Sequence, residues 1–299
     1  MSWWQRLEAC GECREYEPLA SRTTMGTGGS VRWFFMPLDV NAIAEAMKII
    51  PLSVKVIGIG RGSNSLVPDV GLEALVMDFS KLQHLSITGN SLIAQCGMRM
   101  PKLAQHAANH GLCGLEFMAT IPGDVGGGIV MNAGAFGQQV SDTLQRIEIV
   151  HRDGQQQSIA RSELQISYRH TTLPVGAMVV QGEFNLASAV PDDIRNKIRD
   201  MRAKRTATQP LFQPNCGSVF KNPQGDHAAR LIEACGLKGM QIGRAMISEQ
   251  HANFIVNLDT ATTEDVLKLI KHAQKQVTER FGVLLETEVR VLGGYHEST

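Results

Sequence analysis

The sequence predicts an α+β protein with more than one domain. Its 299 residues exceed what one hydrophobic core usually organises. Hydrophobic residues make up 43% of the chain, which is enough to build packed cores. Segments with a helical period and segments typical of strands follow one another without strict strand–helix alternation, and this mixture favours the α+β class.

Charge and apolar runs limit the classes of function. Lys plus Arg and Asp plus Glu both number 29, so no basic excess points to nucleic acid or an anionic membrane. Neither a signal peptide nor a membrane-spanning stretch is predicted. We therefore expect a cytoplasmic chain with reduced thiols, including Cys10 and Cys13 of a lone C-x-x-C. The nine histidines lack a metal-ligand spacing, so no metal is expected.

The first half of the chain combines short strands with two helices. Val40, Ile43, Ala44 and Met47 lie on one stripe of a helical period. In chain order, the pattern predicts a helix at 37–50, strands at 53–60 and 72–80, a hairpin at 84–97 that turns near Gly89-Asn90, and a helix at 101–111 that ends at Gly111.

The second half contains further strands and the longest helix. Two strands flank Asp153-Gly154, another lies at 177–188, and a helix at 192–205 turns Ile194, Ile198 and Met201 inward. The proline-rich stretch 209–215 is the best domain boundary. Beyond it we expect a helix at 226–236, a long helix at 262–282 with Val266, Ile270, Ala273 and Val277 on one side, and a final strand with Glu286, Glu288 and Arg290 on one face.

Three glycine-rich loops indicate a ligand that carries phosphates. They read TTMGTGGSV, GIGRGSNSLV and IPGDVGGGIVMNAGAFG. Glycine permits positive φ and lets main-chain N–H groups approach an anion closely. One such loop could be an ordinary turn, but three together suggest a dinucleotide. The spacing G-x-G-x-G differs from the Rossmann pattern, and no P-loop is present, so the expected site is of a non-Rossmann kind.

Five longer motifs carry a family resemblance. GRGSNSLV, GLEFMATIPGDVGGGIVMNAGAFG, YRHT, QPNCGSVFKNP and LETEVRVLG stand in the order and spacing of the UDP-N-acetylenolpyruvoylglucosamine reductases, and the resemblance covers nearly the whole chain. It implies an FAD-binding domain of the p-cresol methylhydroxylase (VAO) type in two subdomains, 1–80 and 81–205, and a C-terminal α+β substrate-binding domain, 206–299. The modest length resembles the shorter form of the family.

The resemblance also implies which loops hold the cofactor. The segment Gly60, Arg61, Gly62, Ser63 and Asn64 is expected to face the pyrophosphate of FAD. The residues expected to line the flavin are Pro122, Gly123, Gly127, Asn132 and Ala133.

By the same resemblance, the chain is expected to use NADPH and FAD to reduce an enolpyruvyl ether of UDP-N-acetylglucosamine. Arg169 would bind the substrate carboxylate and its enolate form, for which a planar guanidinium is suited. Thr171 stands where the family commonly has a serine. Glu288 would be the acidic partner of the enolate site, where a carboxyl has to be protonated or hydrogen-bonded to help an anion form. Without the resemblance, both residues could equally be surface charges.

The segment NCGSVFKNP offers two candidates for chemistry, the Cys216 thiol and the Ser218 hydroxyl. Spacing alone leaves the choice open, and a turn is a further alternative. The resemblance implies that Ser218 donates the proton. It also implies a set of substrate-binding residues, namely Tyr168, Arg205, Lys221, Asn222, His251 and Asn253.

Two rival functions share the glycine loops. One is a flavin-dependent oxidase of small alcohols or sugars, which would not need Arg169, Ser218 and Glu288 in this arrangement. The other is a nucleotide-binding protein without activity, against which the three intact catalytic candidates argue. The expected partners are a UDP-sugar and NADPH, with no nucleic acid and no membrane, and the chain is expected to be a monomer.

Overall fold

The computed structural model describes residues 2–294 and divides the chain into two compact units. Unit 1 comprises the residues up to Glu15, Trp33–Arg61 and Leu75–Arg205. Unit 2 comprises Tyr16–Arg32, Gly62–Ala74 and the chain from Thr206 onward. Helices and strands are mixed in both units, which confirms the α+β class. The functional division at 80 and 205 stays a prediction.

The helices in chain order are α1 Trp3–Arg6, α2 Val40–Ile49, α3 Met100–Asn109, α4 Val125–Val130, α5 Pro191–Thr208, α6 Ala228–Ala234 and α7 Thr263–Phe281. The helices predicted from periodicity correspond to α2, α3, α5, α6 and α7, and their existence is confirmed.

The strands in chain order are β1 Gly11–Pro18, β2 Ser30–Pro37, β3 Val56–Ile59, β4 Ser65–Leu66, β5 Leu72–Asp78, β6 Leu85–Thr88, β7 Ser91–Gln95, β8 Leu112–Cys113, β9 Gly134–Ala135, β10 Gln138–Gln139, β11 Leu144–Val150, β12 Gln156–Ala160, β13 Ile166–Ser167, β14 His170–Thr171, β15 Met178–Asn185, β16 Ala187–Ser188, β17 Asn215–Ser218, β18 Gln241–Ile242, β19 Ala245–Ile247, β20 Phe254–Asn257 and β21 Arg290–Val291.

Unit 1 contains most of one larger sheet and all of another. One has the strand order β1-β2-β5-β3, with β3 and β5 parallel. The other has the order β12-β11-β15-β7-β6, and all of its neighbours are antiparallel. Two hydrophobic cores serve these sheets, one around Phe35, Met47 and Leu75 and one around Phe117 and Phe184. The predicted hairpin is confirmed, since β6 and β7 pair up to Thr88 opposite Ser91.

Unit 2 is built on the antiparallel sheet β17-β20-β19-β18, against which α7 packs, and α6 packs against α7. Its core includes the predicted side of α7, with Val266, Ile270, Ala273 and Val277 all buried. The predicted final strand is largely wrong. Thr287 forms only an isolated bridge to Phe220, and a short strand, β21, forms where Arg290 and Val291 pair in parallel with β4.

Helix α7 begins and ends at residues that satisfy its free main-chain groups. The Thr262 hydroxyl accepts a hydrogen bond from the N–H of Asp265, and the Asp69 carboxylate accepts from the N–H groups of Thr263 and Glu264, both at 2.9 Å. Gly282 adopts φ 67° at the C-terminal end, a left-handed conformation that glycine accepts without strain. None of the described helices is long and apolar enough to cross a lipid bilayer.

Replacing Asp69 with alanine is expected to loosen the first turn of α7. Two N–H groups lose their acceptor, and the loss of a cap costs about 1 kcal/mol. Hydrogen exchange of the peptide that contains Thr263 and Glu264 measures this. Asp192→Ala is the matched control, since Asp192 lies in the first turn of α5 with an 85% exposed side chain. Equal protection of the α7 peptide in the Asp69→Ala protein and the unmodified protein would contradict the assignment.

Candidate active site

Helix α4 contains three consecutive glycines, Gly126 to Gly128, that differ in their surroundings. A Cβ at Gly126 would lie 2.8 Å from Cβ of Cys96, and one at Gly128 would lie 2.7 Å from Sδ of Met100. Gly126 therefore requires glycine for close packing inside unit 1, whereas a side chain at Gly128 would have to displace the flexible end of Met100. Gly127 is exposed, and a Cβ there would meet nothing within 4 Å. Its main chain is thus open to the approach of a ligand.

The remaining residues expected to line the flavin flank this helix. Pro122 is exposed, and Gly123 is buried with φ 133°, where its carbonyl accepts from the N–H of Met100. Ala133 is half-buried, and its N–H donates to the carbonyl of Gly128. The main chain on both sides of α4 is therefore fixed by hydrogen bonds.

The first glycine-rich loop is different. A Cβ at Gly28 would collide with the Val67 side chain, and one at Gly29 with the carbonyl of Asp69. These glycines serve contacts between two main-chain segments of unit 2. Close packing therefore accounts for glycine at both positions, and a phosphate cradle in this loop stays a prediction.

The segment Gly60–Asn64 contributes to both units. In unit 1, Gly60 is half-buried and Arg61 is exposed. In unit 2, Gly62 packs against the main chain at Arg22, and the side-chain amide of Asn64 donates to the carbonyl of Glu288 at 3.0 Å. Ser63 is half-buried, and its carbonyl oxygen would lie 3.6 Å from a Cβ at Gly217. The Asn64 side chain is therefore bound to the protein main chain.

Asp124 lies beside Gly60 and is 5% exposed. A Cβ at Gly60 would lie 2.7 Å from its Oδ2. Burial raises the pKa of the Asp124 carboxyl to about 6, with Asp78 adding to the rise, whereas the charges of Arg61 and Arg99 and a hydrogen bond from the Arg61 main chain oppose it. Within residues 2–294, Oδ1 of Asp124 is buried and has no hydrogen-bond partner.

Asn132 organises the loop that follows α4. It is 1% exposed, its Nδ2 donates to Oε1 of Gln139 at 3.0 Å and to the carbonyl of Ser167 at 3.1 Å, and its Oδ1 accepts from the N–H of Ser141 at 3.0 Å. All the hydrogen bonds that the structure gives this amide are to the protein. The side chain therefore positions the loop and the neighbouring β13.

Arg169 lies at the tip of the two-residue turn between β13 and β14. Its backbone has φ 58°, its guanidinium donates to the carbonyl of Gly134 at 2.9 Å, and its Cζ lies 4.7 Å from the centre of the Tyr168 ring. Tyr168 is 46% exposed. The buried Thr171 hydroxyl donates to the carbonyl of Ile129 at 2.6 Å, which ties β14 to α4. The threonine therefore supplies the anchor for this hairpin.

Strained backbone collects around this turn. Asn132, Phe136 and Arg169 have φ of 39°, 54° and 58°, a region that residues other than glycine rarely adopt. Phe136 is also 42% exposed at the tip of the β9–β10 hairpin. Such conformations cost about 1–3 kcal/mol each and are concentrated at functional sites. This clustering is independent structural support for a site near Arg169.

In unit 2, a bulge sets the direction of Ser218. Strand β17 pairs Asn215 with Val256 and Ser218 with Phe254, so the strand has one extra residue there, and Gly217 takes it up with φ 76°. Bulges of this kind redirect the side chain that follows. Ser218 is half-buried, whereas Cys216 is fully buried and burial raises the pKa of its thiol to about 12. Cys216 is therefore a core residue without a reactive thiolate.

Glu288 and Asn253 meet the same segment. The N–H of Glu288 donates to the carbonyl of Val219 at 2.8 Å, and the side chain of Glu288 is half-buried. The Asn253 side chain accepts from the N–H of Phe220 at 2.9 Å and donates to its carbonyl at 2.8 Å. The segments that carry Ser218 and Glu288 therefore meet at Val219, and Asn253, which is expected to bind substrate, uses its amide to hold the main chain of Phe220.

His251 has a defined ring orientation. Its Nδ1 accepts from the N–H of Asn253 at 3.2 Å, and its ring lies edge-on to Phe254 with centroids 4.9 Å apart. Because Nδ1 is an acceptor, the neutral ring carries its proton on Nε2.

The other expected substrate residues have protein partners of their own. Lys221 pairs with the exposed Glu286 at 3.1 Å, and Asn222 accepts from the N–H of Ala228 at 3.1 Å. In unit 1, Arg205 lies 3.4 Å from the Thr120 hydroxyl, and burial lowers the pKa of its guanidinium to about 10.

Sequence reasoning missed Asp124 and Phe136. Asp124 precedes a helix and is easily read as an ordinary cap. Phe136 precedes Gly137 in NAGAFG. Two-residue hairpin turns need positive φ and favour Asn or Asp before the glycine, so a phenylalanine at this position indicates backbone strain.

Family models and full-length relatives both match the chain to the UDP-N-acetylenolpyruvoylglucosamine reductases. Residues 209–292 match the family described as UDP-N-acetylenolpyruvoylglucosamine reductase, C-terminal domain, and residues 32–160 match an FAD binding domain. The chain is 39% identical to the UDP-N-acetylenolpyruvoylglucosamine reductase of Limosilactobacillus fermentum over 94% of this chain and 95% of that protein. Identity to the enzyme of the same name from Desulforamulus reducens is 42%, over 95% and 94%.

A solved structure agrees with these relatives. The crystal structure of UDP-N-acetylenolpyruvylglucosamine reductase from Thermus caldophilus matches with a TM-score of 0.81 at 33% identity, covering 94% of this chain and 98% of that one. The predicted fold, an FAD-binding domain followed by a C-terminal domain, is confirmed by these matches.

Thr171→Val is expected to free the hairpin that presents Arg169. The change keeps the shape of the side chain but removes one of two hydrogen bonds to the Ile129 carbonyl, which also accepts from the N–H of Asn132, so the expected cost is about 0.5–1.5 kcal/mol. Hydrogen exchange of the peptide spanning β13 and β14 measures the loss. Thr171→Ser, which retains the hydroxyl, and Thr172→Val at the exposed neighbour serve as controls. If Thr171→Val leaves exchange unchanged, the hydroxyl is not the anchor.

Proposed function

Since the chain belongs to the family of UDP-N-acetylenolpyruvoylglucosamine reductases and is an FAD-dependent oxidoreductase, we propose that it reduces UDP-N-acetylenolpyruvoylglucosamine to UDP-N-acetylmuramate with NADPH. The observation that carries the proposal is the strained, hydrogen-bonded turn that holds Arg169. The product is a precursor for peptidoglycan synthesis. We place the reaction in the cytoplasm, where NADPH and nucleotide sugars are available, and propose a monomer.

The residues around α4 fit a flavin nucleotide. The exposed main chain at Gly127 leaves room for a flat ring system or a phosphate to approach, and the buried Oδ1 of Asp124 offers a polar group without a protein partner among the described residues. When bound, FAD would supply hydride transfer between NADPH and the enolpyruvyl group. In this proposal, Pro122, Gly123 and Ala133 contribute main chain to the cofactor site, and Asn132 holds that main chain in place.

Arg169 binds the carboxylate of the enolpyruvyl group. Its planar guanidinium stabilises the negative charge that spreads into this carboxylate while the neighbouring carbon is still unprotonated. The hydrogen bond to Gly134 and the contact with Tyr168 leave the guanidinium little rotational freedom. Such preorganisation lowers the cost of orienting the charge in the transition state.

Ser218 donates the proton to the carbon next to the carboxylate. A serine hydroxyl is a weak acid, so it needs a neighbour that stabilises the oxygen it leaves behind, and Lys221 and Asn222 follow it closely in the chain. Glu288 acts beside the enolate carbon as a hydrogen-bonding partner. His251, Tyr168 and Arg205 complete the contacts with the substrate and NADPH, while Asn253 positions Ser218.

The purified protein is expected to be yellow, with a flavin absorption that NADPH bleaches and the enolpyruvyl substrate restores. Stopped-flow absorption under anaerobic conditions follows both half-reactions. Rapid oxygen consumption with a simple sugar and no response to the enolpyruvyl substrate would favour an oxidase instead. Tight UDP-sugar binding without flavin reduction would favour a binding protein.

Ser218→Ala is expected to keep reduction of the flavin by NADPH and to lower turnover of the enolpyruvyl substrate by about 10²–10⁴-fold, the usual value of general acid catalysis. Cys216→Ala is the matched control two residues away, and it should keep turnover because that thiol is buried and not ionised. Turnover that survives in Ser218→Ala but is lost in Cys216→Ala would reverse the assignment.

A further inference from the structure

Asp124 occupies the residue before α4 but does not cap this helix. Its side chain makes no capping hydrogen bond, although aspartate is among the preferred capping residues. The carboxyl instead faces the turn at Gly60 and Arg61, where the Arg61 main chain donates to it. Gly60 has no side chain to separate the carboxyl from this turn. Asp124 therefore links two of the loops to which the cofactor is assigned.

The charges around this carboxyl come from three other segments of unit 1. Arg61 follows β3, Asp78 ends β5, and Cys96 and Arg99 follow β7. The two arginines favour the ionised carboxylate, whereas Asp78 and burial favour the protonated acid. Burial holds the pKa of the Cys96 thiol at about 12, so this neighbour stays neutral. One oxygen of this carboxyl is bound to the Arg61 main chain and the other has no partner within residues 2–294, so the carboxyl can hold or release its proton near neutral pH.

A diphosphate offers hydrogen-bond acceptors and negative charge. An ionised Asp124 would repel it, and the repulsion would be strong because the carboxyl is buried. A protonated Asp124 has an O–H at Oδ1 that can donate to a phosphate oxygen, and this bond would also satisfy the buried atom. The same side chain would keep accepting from Arg61 through its other oxygen.

We propose that Asp124 is a cofactor-binding residue whose protonated carboxyl donates a hydrogen bond from Oδ1 to a diphosphate oxygen of FAD, so that FAD binding takes up one proton from solvent. This inference rests on the proposed function, which assigns the diphosphate to the turn at Gly60 and Arg61. Sequence resemblance gave no role to Asp124.

The direction of the pH dependence follows from the two states. In the free protein the carboxyl has a pKa of about 6. A bound diphosphate beside it raises this pKa further, so FAD binds more tightly to the protonated form. The association constant therefore falls as pH rises from about 6 to the higher pKa of the bound form. The fall is at most about tenfold per pH unit in this interval, because one proton is involved.

The test uses the full-length protein after removal of its flavin. FAD is titrated between roughly pH 6 and pH 8, with flavin fluorescence as the readout. Calorimetry at neutral pH in two buffers of different ionisation enthalpy counts the protons taken up. We expect the association constant to weaken by about tenfold or more across this range, with uptake of a substantial fraction of a proton. Asp124→Asn keeps an acceptor for Arg61 and a donor for phosphate, so it should bind FAD without this pH dependence and without proton uptake.

Asp193→Asn, on the exposed side of α5, is the matched control and should behave like the unmodified protein. Three results would overturn the inference: no proton uptake by the unmodified protein, affinity that rises with pH, or an unchanged pH profile in Asp124→Asn. Affinity that rises with pH would mean that an ionised Asp124 accepts from a hydroxyl of the cofactor. The first measurement needs no variant, so it decides the matter even if Asp124→Asn does not fold. An unmodified protein that takes up no FAD at any pH would remove the proposed function as well.

Discussion

Two hydrogen bonds between the Asn253 side chain and the main chain of Phe220 determine the arrangement of the chemical residues in unit 2. The Asn253 amide accepts from the Phe220 N–H at 2.9 Å and donates to its carbonyl at 2.8 Å, while the carbonyl of Asn253 accepts from Val219. Ser218 precedes this clamp directly, and Glu288 is attached to it through the carbonyl of Val219. Because Asn253 is 5% exposed, loss of its amide would leave buried polar groups unpaired.

Unit 1 uses the same device at Asn132. This buried amide bonds to Gln139, Ser167 and Ser141, and it thereby joins the loop after α4 to the strand that precedes Arg169. In both units a buried asparagine side chain that bonds to protein main chain fixes residues that are proposed to touch ligand. A motif comparison cannot tell an asparagine that positions main chain from one that contacts a ligand, because both kinds of residue occur within the same motif.

The sequence was informative where one physical requirement dominates a segment. The apolar stripe of α7 and the glycine that follows it correctly predicted where this helix lies. The Gly89-Asn90 turn correctly predicted the β6–β7 hairpin, since local geometry determines both elements. The segment around Glu288 alternates like a strand, yet its main chain bonds to Val219 at two successive N–H groups and forms no regular ladder. That outcome depends on the bulge at Gly217 and on Asn253, which lie far away in the sequence.

Glycine-rich loops illustrate the same limit. Gly28 is required by the side chain and carbonyl of Val67, Gly29 by neighbouring main chain and Gly126 by the Cys96 side chain. Gly128 faces the movable end of Met100, and only at Gly127 of these five does the added Cβ meet open space. The sequence shows glycine at all five positions, but the structural need for glycine differs because it depends on which atoms pack against each one. A count of glycine loops therefore overstates how much main chain is available to a phosphate.

Backbone strain and buried polar atoms indicate the binding region more directly than composition does. Phe136 and Arg169 adopt a left-handed backbone that glycine would accept at no cost, and Asp124 is a buried carboxyl with one oxygen that lacks a protein partner among the described residues. Each of these features destabilises the folded protein, and each could be removed by a common substitution. All three lie in the part of unit 1 that contains α4 and its adjoining loops. Ligand binding best explains a destabilising feature that serves no packing purpose. The positions of these three residues therefore indicate where the ligand binds.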